Sequence, residues 1–182
     1  PAIFSTIAPL GLYANPDRQN RASVDGNPLY EKSRTYGHSL TLSLDLGAAT
    51  LKSITAYRDL RWQDSADLDG SPLDIAQTQR DTSFHAWSQE VQLTGAAMDD
   101  RLTYVTGAFY YKEKAETLGP QRFFGFLNQL GAPGAADLQS DYGSHTRALA
   151  LYAQLDYMLT DALKLTLGGR YTNEKKDIRR SF

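Results

Sequence analysis

The sequence predicts an all-β protein: an antiparallel, up-and-down meander of about six strands of the kind that lines a transmembrane β-barrel. Three observations carry that prediction. Residues 39–46, SLTLSLDL, alternate without a break, with Leu40, Leu42, Leu44 and Leu46 on one side and Ser39, Thr41, Ser43 and Asp45 on the other. The connections between such segments run short, long, short, long, short, which in an up-and-down sheet puts every short turn on one rim and every long loop on the other. Finally, no run approaches the roughly 18 to 20 apolar residues of a membrane helix. That excludes helical membrane proteins and leaves barrels open, because alternating strands average to polar values.

Taken in order, residues 1–32 hold Pro1, Pro9, Pro16 and Pro28 among scattered Asn, Asp and Gly, and read as loop or the end of a preceding extracellular loop. Residues 33–182 then divide into three hairpins. The first joins a strand over about 34–46 to one over about 51–62 through GAAT (47–50). A long polar connection, 63–81, leads to a strand over about 83–94, which turns through GAAMDD (95–100) into RLTYVTGAFYYKEK, aromatic on both faces. A second long connection, 115–145, is rich in Gly and Pro, including Gly119, Pro120, Pro133 and Gly134. The last hairpin, 147–159 and 163–177, closes over the tight turn TDA.

That hairpin tests the barrel reading at residue level. Pairing Leu159 with Leu163 sets Tyr157 opposite Leu165, Leu155 opposite Leu167 and Leu151 opposite Tyr171 on one face. The reverse face then carries Gln154, Asp156, Lys164 and Arg170, charges that suit a wet or plugged lumen and would be costly in a dry core. Apolar strand segments extend for about 9 to 11 residues before charge takes over, the length a tilted strand needs to cross the hydrocarbon layer. Tyr57, Trp87, Tyr110, Tyr111, Tyr157 and Tyr171 are candidates for interfacial aromatic girdles.

Composition bounds the function. Of 182 residues, Asp and Glu number 21 against 19 Lys and Arg, so no electrostatic footprint for nucleic acid is present. Cysteine is absent, which removes disulfides, CxxC motifs, thiolate metal sites and a cysteine nucleophile together. Chemical motifs are thin. In DSADLDG, the spacing before Gly70 resembles a calcium loop, but Ser65 falls at the first ligand position and Ala76 at the twelfth, where a bidentate Glu belongs, so a solvated acidic loop is expected. His38, His85 and His145 lie far apart without metal-site spacing, and no GxSxG motif occurs. No catalytic residue, metal or cofactor is expected. Gly168 and Gly169 are expected to relieve crowding at a bend. The segment 121–138 places Phe123, Phe124, Phe126, Leu127 and Leu130 loosely at helical spacing, either a short amphipathic helix at the barrel mouth or a loop packing its own cluster. Candidate ligand contacts in the long loops are Arg61, Trp62, Phe123, Phe124 and Phe126.

Four blocks together resemble a family. LKSITAYRDL ahead of DLDG, then FHAWSQEVQLTG, then RLTYVTGAFYYKEKAE, then LYAQLDYMLTDALKLTLGGRYTNEKKD are similar, in order and spacing, to consecutive barrel segments of TonB-dependent receptors. The resemblance spans about residues 34–177. It implies a barrel of about 22 strands closed by an N-terminal plug. It further implies the outer membrane of a Gram-negative bacterium, lipid around the barrel, and import of a small-molecule or chelate ligand of the ferric siderophore, cobalamin or glycan class. The TonB complex would engage the plug, which this segment lacks. The chain has room for about six strands, so it resembles an internal fragment. PAIFSTIAPL reads as neither signal peptide nor plug, and Arg180 breaks the alternation before Phe182, both of which fit a piece of a longer protein. Two alternatives of other kinds are a passive porin-like or autotransporter-like barrel and a soluble all-β binding module.

Overall fold

A computed structural model describes residues 28–70 and 73–181. Residues 1–27, expected as loop, lie outside the described residues. Six strands run β1 (Tyr30–Asp45), β2 (Ala49–Asp67), β3 (Ala76–Ala97), β4 (Leu102–Phe123), β5 (Ala136–Thr160) and β6 (Leu163–Ser181), with one short helix, α1 (Phe126–Gln129), between β4 and β5. They form one sheet in the order β1-β2-β3-β4-β5-β6, each strand antiparallel to the next. The predicted meander is therefore present, as an open sheet with β1 and β6 at its ends.

The short turns fall on one rim. Asp45 Oδ1 accepts the Gly47 N–H at 2.8 Å, fixing the turn after β1, where Gly47 has φ +85°. After β3, Met98, Asp99 and Asp100 all adopt left-handed φ values of 58°, 54° and 64°. In the last hairpin Thr160 pairs with Leu163 in place of the expected Leu159–Leu163 pair. A bulge between Met158 and Thr160 absorbs the difference, so Tyr157–Leu165, Leu155–Leu167 and Leu151–Tyr171 keep the expected register.

The other rim differs from expectation. Residues 30–32, 63–67, 76–81, 115–123 and 136–145, expected as loop, are strand, and the long connections shrink to 68–75 and 124–135. The physical reason is cross-strand polar pairing. Gln63 Nε2 donates to Asp81 Oδ2 at 2.7 Å, the Thr82 and Thr117 hydroxyls meet at 3.0 Å, and Arg122 Nε donates to Asp137 Oδ1 at 2.9 Å. Such pairs stabilise strand as apolar pairs do, while removing the hydrophobic signal that marks a strand in sequence. Gly119 and Pro120 signal a turn, yet both lie within β4, opposite Ser140 and Gln139. The ladder to β3 breaks beside them, where no N–H of Pro120 exists to donate.

Register assigns the faces. Leu40, Leu42 and Leu44 of β1 share a face with the odd positions of β2 and β3, the even positions of β4 and the odd positions of β5 and β6. This leucine face is open: Leu42 is 59% exposed, Leu151 54% and Leu167 60%. Buried apolar residues among those described are only Ala86, Ala148 and Ala150. A sheet that leaves each such leucine uncovered forgoes roughly 1.5 to 3 kcal/mol per side chain, so this face requires an apolar environment from elsewhere. In this open sheet, where β6 has only one neighbour, an added Cβ at Gly169 would meet nothing within 4 Å and one at Gly168 only ordinary contacts at 3.5 and 3.6 Å.

Candidate functional site

The opposite, polar face carries the chemistry. Near the long-loop rim, Trp62, Asp64 and Arg80 converge, because even positions of β2 and β3 face the same way and the register sets Asp64 beside Arg80. Arg80 holds Asp64 through two bonds, Nε to Oδ1 at 3.1 Å and a terminal nitrogen to Oδ2 at 2.7 Å. Its guanidinium carbon lies 4.7 Å from the Trp62 ring, whose Nε1 donates to Glu31 Oε1 at 3.1 Å. The hydrogen bond to Asp64 keeps the Arg80 guanidinium above its ordinary value despite partial desolvation. Farther along, Arg180 lies over the Tyr142 ring at 5.0 Å.

Toward the middle of the same face a concavity of about 400 Å³ opens, lined among others by Arg58, Phe84, Ser88, Phe109 and Tyr111. Phe109 and Tyr111 lie at 6.4 Å with ring planes 12° apart, and the Tyr111 hydroxyl donates to Glu113 Oε2 at 2.5 Å. The Arg170 guanidinium lies over the Phe109 ring at 6.0 Å. Below this, Glu90 Oε1 accepts from Tyr152 Oη at 2.6 Å and from Gln92 Nε2 at 2.8 Å. Flat aromatic surfaces beside fixed guanidinium groups and carboxylates offer stacking and charge-assisted hydrogen bonds to a polar ligand.

The two long loops are joined to each other. Phe124 N–H donates to the Ile75 carbonyl at 2.7 Å and Phe126 N–H to the Asp74 carbonyl at 3.0 Å. The acidic loop turns its carboxylates on its own backbone: Asp67 Oδ1 accepts from Asp69 N and Gly70 N at 2.9 and 3.1 Å, and Asp69 Oδ2 accepts from Ala76 N at 2.9 Å. No metal-binding group of three acidic or histidine side chains occurs among the described residues.

The sequence candidates are distributed as follows. Trp62 faces the polar side in the mouth cluster, whereas Arg61, its neighbour in the strand, shares the leucine side with Arg34. Both belong to β2 rather than to a loop. Phe123 ends β4, Phe124 sits in the connection at φ +57° and 48% exposed, and Phe126 opens α1, which is a single turn. Tyr57, Trp87, Tyr110, Tyr157 and Tyr171 stand on the leucine face, with Trp87 and Tyr110 rings 5.8 Å apart. Tyr111 does not join them. Consecutive strand residues point to opposite faces, and Tyr111 lines the concavity on the polar side. Sequence reasoning missed Tyr36, whose ring lies 6.4 Å from Tyr57, although Tyr36 continues the even-numbered phase of Leu40. It also missed Arg58, Arg80 and Phe109, which become a site only through pairing between strands.

Comparison with known proteins agrees with this architecture. The family profile described as TonB dependent receptor-like, beta-barrel matches residues 3–182. Among solved structures the chain is similar in fold to the ferric yersiniabactin uptake receptor FyuA from Yersinia pestis, at a TM-score of 0.70 and 16% identity, covering 87% of this chain and 23% of that one. The chain thus spans about a quarter of the length of that receptor. No curated protein matches it significantly. No helix among the described residues is long and apolar enough to cross a membrane, which says nothing against crossing by strands. An alternating six-stranded meander with an open leucine face, matched along nearly its whole length by one barrel family, has a single account: the chain belongs to the TonB-dependent receptor β-barrel family, an outer-membrane family of receptors and transporters.

Proposed function

We propose that β1 to β6 form three hairpins of the barrel wall of an outer-membrane receptor that imports a scarce ligand. The leucine face meets lipid, the polar face lines the lumen, the short turns are periplasmic and the long loops extracellular. Energy comes from the TonB complex through a plug that lies outside this segment. The observation that carries the reading is the polar face itself, where Trp62, Arg80, Arg58 and Phe109 offer rings and guanidinium groups from the mouth inward. Anionic iron chelates of the siderophore class fit that surface best, with cobalamins and glycans as other members of the same importing class. Trp62, Phe123, Phe124 and Phe126 are the proposed contacts at the mouth, and Arg61, on the leucine side of β2 beside Arg34, is proposed to act at the outer rim.

The test is uptake of radioiron chelates, cyanocobalamin and maltodextrins by cells carrying the full-length receptor, with and without TonB. TonB-dependent uptake of one class supports the reading. Entry of small solutes regardless of TonB would establish a passive channel, and a full-length protein soluble without detergent would establish a soluble binding module.

A further inference from the structure

Resting on the reading that Phe123, Phe124 and Phe126 meet ligand at the mouth, the structure assigns Asp74 a positioning role: from the neighbouring loop it holds the phenylalanine turn, so that the two long loops present one preformed surface. Phe124 has φ +57°, a left-handed backbone that a bulky residue rarely adopts unaided. Such a conformation persists where its surroundings over-determine it. Here the acidic loop does so. The N–H groups of Phe124 and Phe126, on either side of Gly125, are both taken by that loop, at the carbonyls of Ile75 and Asp74. Between those two bonds Gly125 leaves room for the Asp74 side chain: a Cβ there would lie 2.6 Å from Asp74 Cγ and 2.9 Å from Arg122 Cδ. Asp74 is buried, and it meets the turn through both its carbonyl and its side chain.

The holding loop is itself tied down. Leu68 N–H donates to the Ala76 carbonyl at 2.9 Å and Asp69 Oδ2 accepts the Ala76 N–H, so its ends are joined where β2 gives way to β3. Ile75 N–H donates to the Leu73 carbonyl at 2.9 Å. The phenylalanine turn closes on itself in the same way, with Leu127 N–H on the Phe124 carbonyl at 3.0 Å and Ala132 N–H on the Leu127 carbonyl at 2.9 Å. At the end of β4 the Arg122 guanidinium is held above its ordinary value chiefly by the hydrogen bond to Asp137, and the Asp74 charge adds to that hold. A surface ordered before ligand arrives loses less conformational entropy on binding. Affinity at the phenylalanines therefore depends on a residue of the acidic loop that contributes no ring to the contact.

The test uses the full-length receptor carrying Gly125→Ala, Asp74→Ala or Asp74→Asn, the last keeping the shape and an acceptor oxygen. Hydrogen exchange in detergent without ligand should show the Phe124 and Phe126 amides exchanging about ten-fold faster or more in the two alanine variants, with amides in the middle of β4 unchanged. In cells, KM for TonB-dependent uptake of radioiron chelates should rise about five- to ten-fold in those variants while the maximal rate is kept, and Asp74→Asn should restore most of both readouts. Unchanged exchange at Phe124 and Phe126 overturns the positioning role. Faster exchange with KM unchanged, or a lower maximal rate alone, reduces Asp74 to a structural residue and overturns its part in uptake. A parent receptor that imports neither radioiron chelates, cyanocobalamin nor maltodextrins would instead overturn the importing reading beneath the proposal, whatever the exchange shows.

Discussion

Tyr152 of β5 crosses over Gly107 of β4 to hydrogen-bond Glu90 of β3. Gly107 and Tyr152 are direct cross-strand partners, and a Cβ at Gly107 would come within 2.6 Å of the tyrosine ring carbon bearing the hydroxyl. The bond to Glu90 Oε1, at 2.6 Å, thus spans three strands and exists because the middle one presents no side chain. Glycine here is required by space, not by an unusual backbone.

The first prediction follows from that crossing. Gly107→Ala should destabilise the full-length receptor by about 1 to 3 kcal/mol, because the ring must leave Glu90 or the strands must part. Gly143→Ala is the control, since an added Cβ there meets nothing within 4 Å. Urea unfolding in detergent compares the two. Equal effects would show that the crossing does not matter.

Facing is tested by charge. Leu42→Arg and Leu151→Arg place a cation on the leucine face and should weaken folding into lipid vesicles by about 2 to 4 kcal/mol each. Thr172→Arg, on the polar face beside Arg170, should change it little. A cost at Thr172 matching that at Leu151 would reverse the assignment of faces.

The Lys114–Glu116 pair gives a pH signature above the aromatic boundary. Its 2.7 Å contact, chiefly the hydrogen bond from Lys114, lowers the Glu116 carboxyl below its ordinary value. A depressed carboxylate contributes stability that is present above the unfolded value and lost as pH falls through the folded one. Carboxyl NMR of labelled receptor should show Glu116 titrating low, and Lys114→Gln should move it upward. No movement would mean that the pair does not persist in solution.

The loop phenylalanines are tested together. Replacing Phe123, Phe124 and Phe126 with serine in the full-length receptor should reduce ligand uptake roughly five-fold or more while leaving membrane insertion intact. Normal uptake would remove this loop from ligand contact.

Much of the fold is legible along the chain, for a physical reason. Period-two alternation is local, so Leu40, Leu42 and Leu44 declare their face, and the interior register of the last hairpin follows from matching leucines to leucines. Legibility fails where strands become polar. Arg122 and Asp137 read as loop residues because nothing in their own neighbourhoods announces that they pair. The same limit hides the site. Trp62 stands out as an aromatic, but Arg80, Asp64 and Phe109 acquire meaning only when separate strands bring them to one face. Tyr110 and Tyr111 were separable in principle, since adjacent strand residues cannot share a face.

Every strand in this sheet pairs only with its neighbours along the chain. A barrel wall made this way grows like a knitted row, each new hairpin needing just the exposed edge of the last one. Adding or removing a hairpin changes the circumference by two strands without rethreading any other part of the chain. The ladders within these six strands are therefore complete in themselves, and what the rest of a barrel supplies to them is a partner for each outer edge and a closed ring.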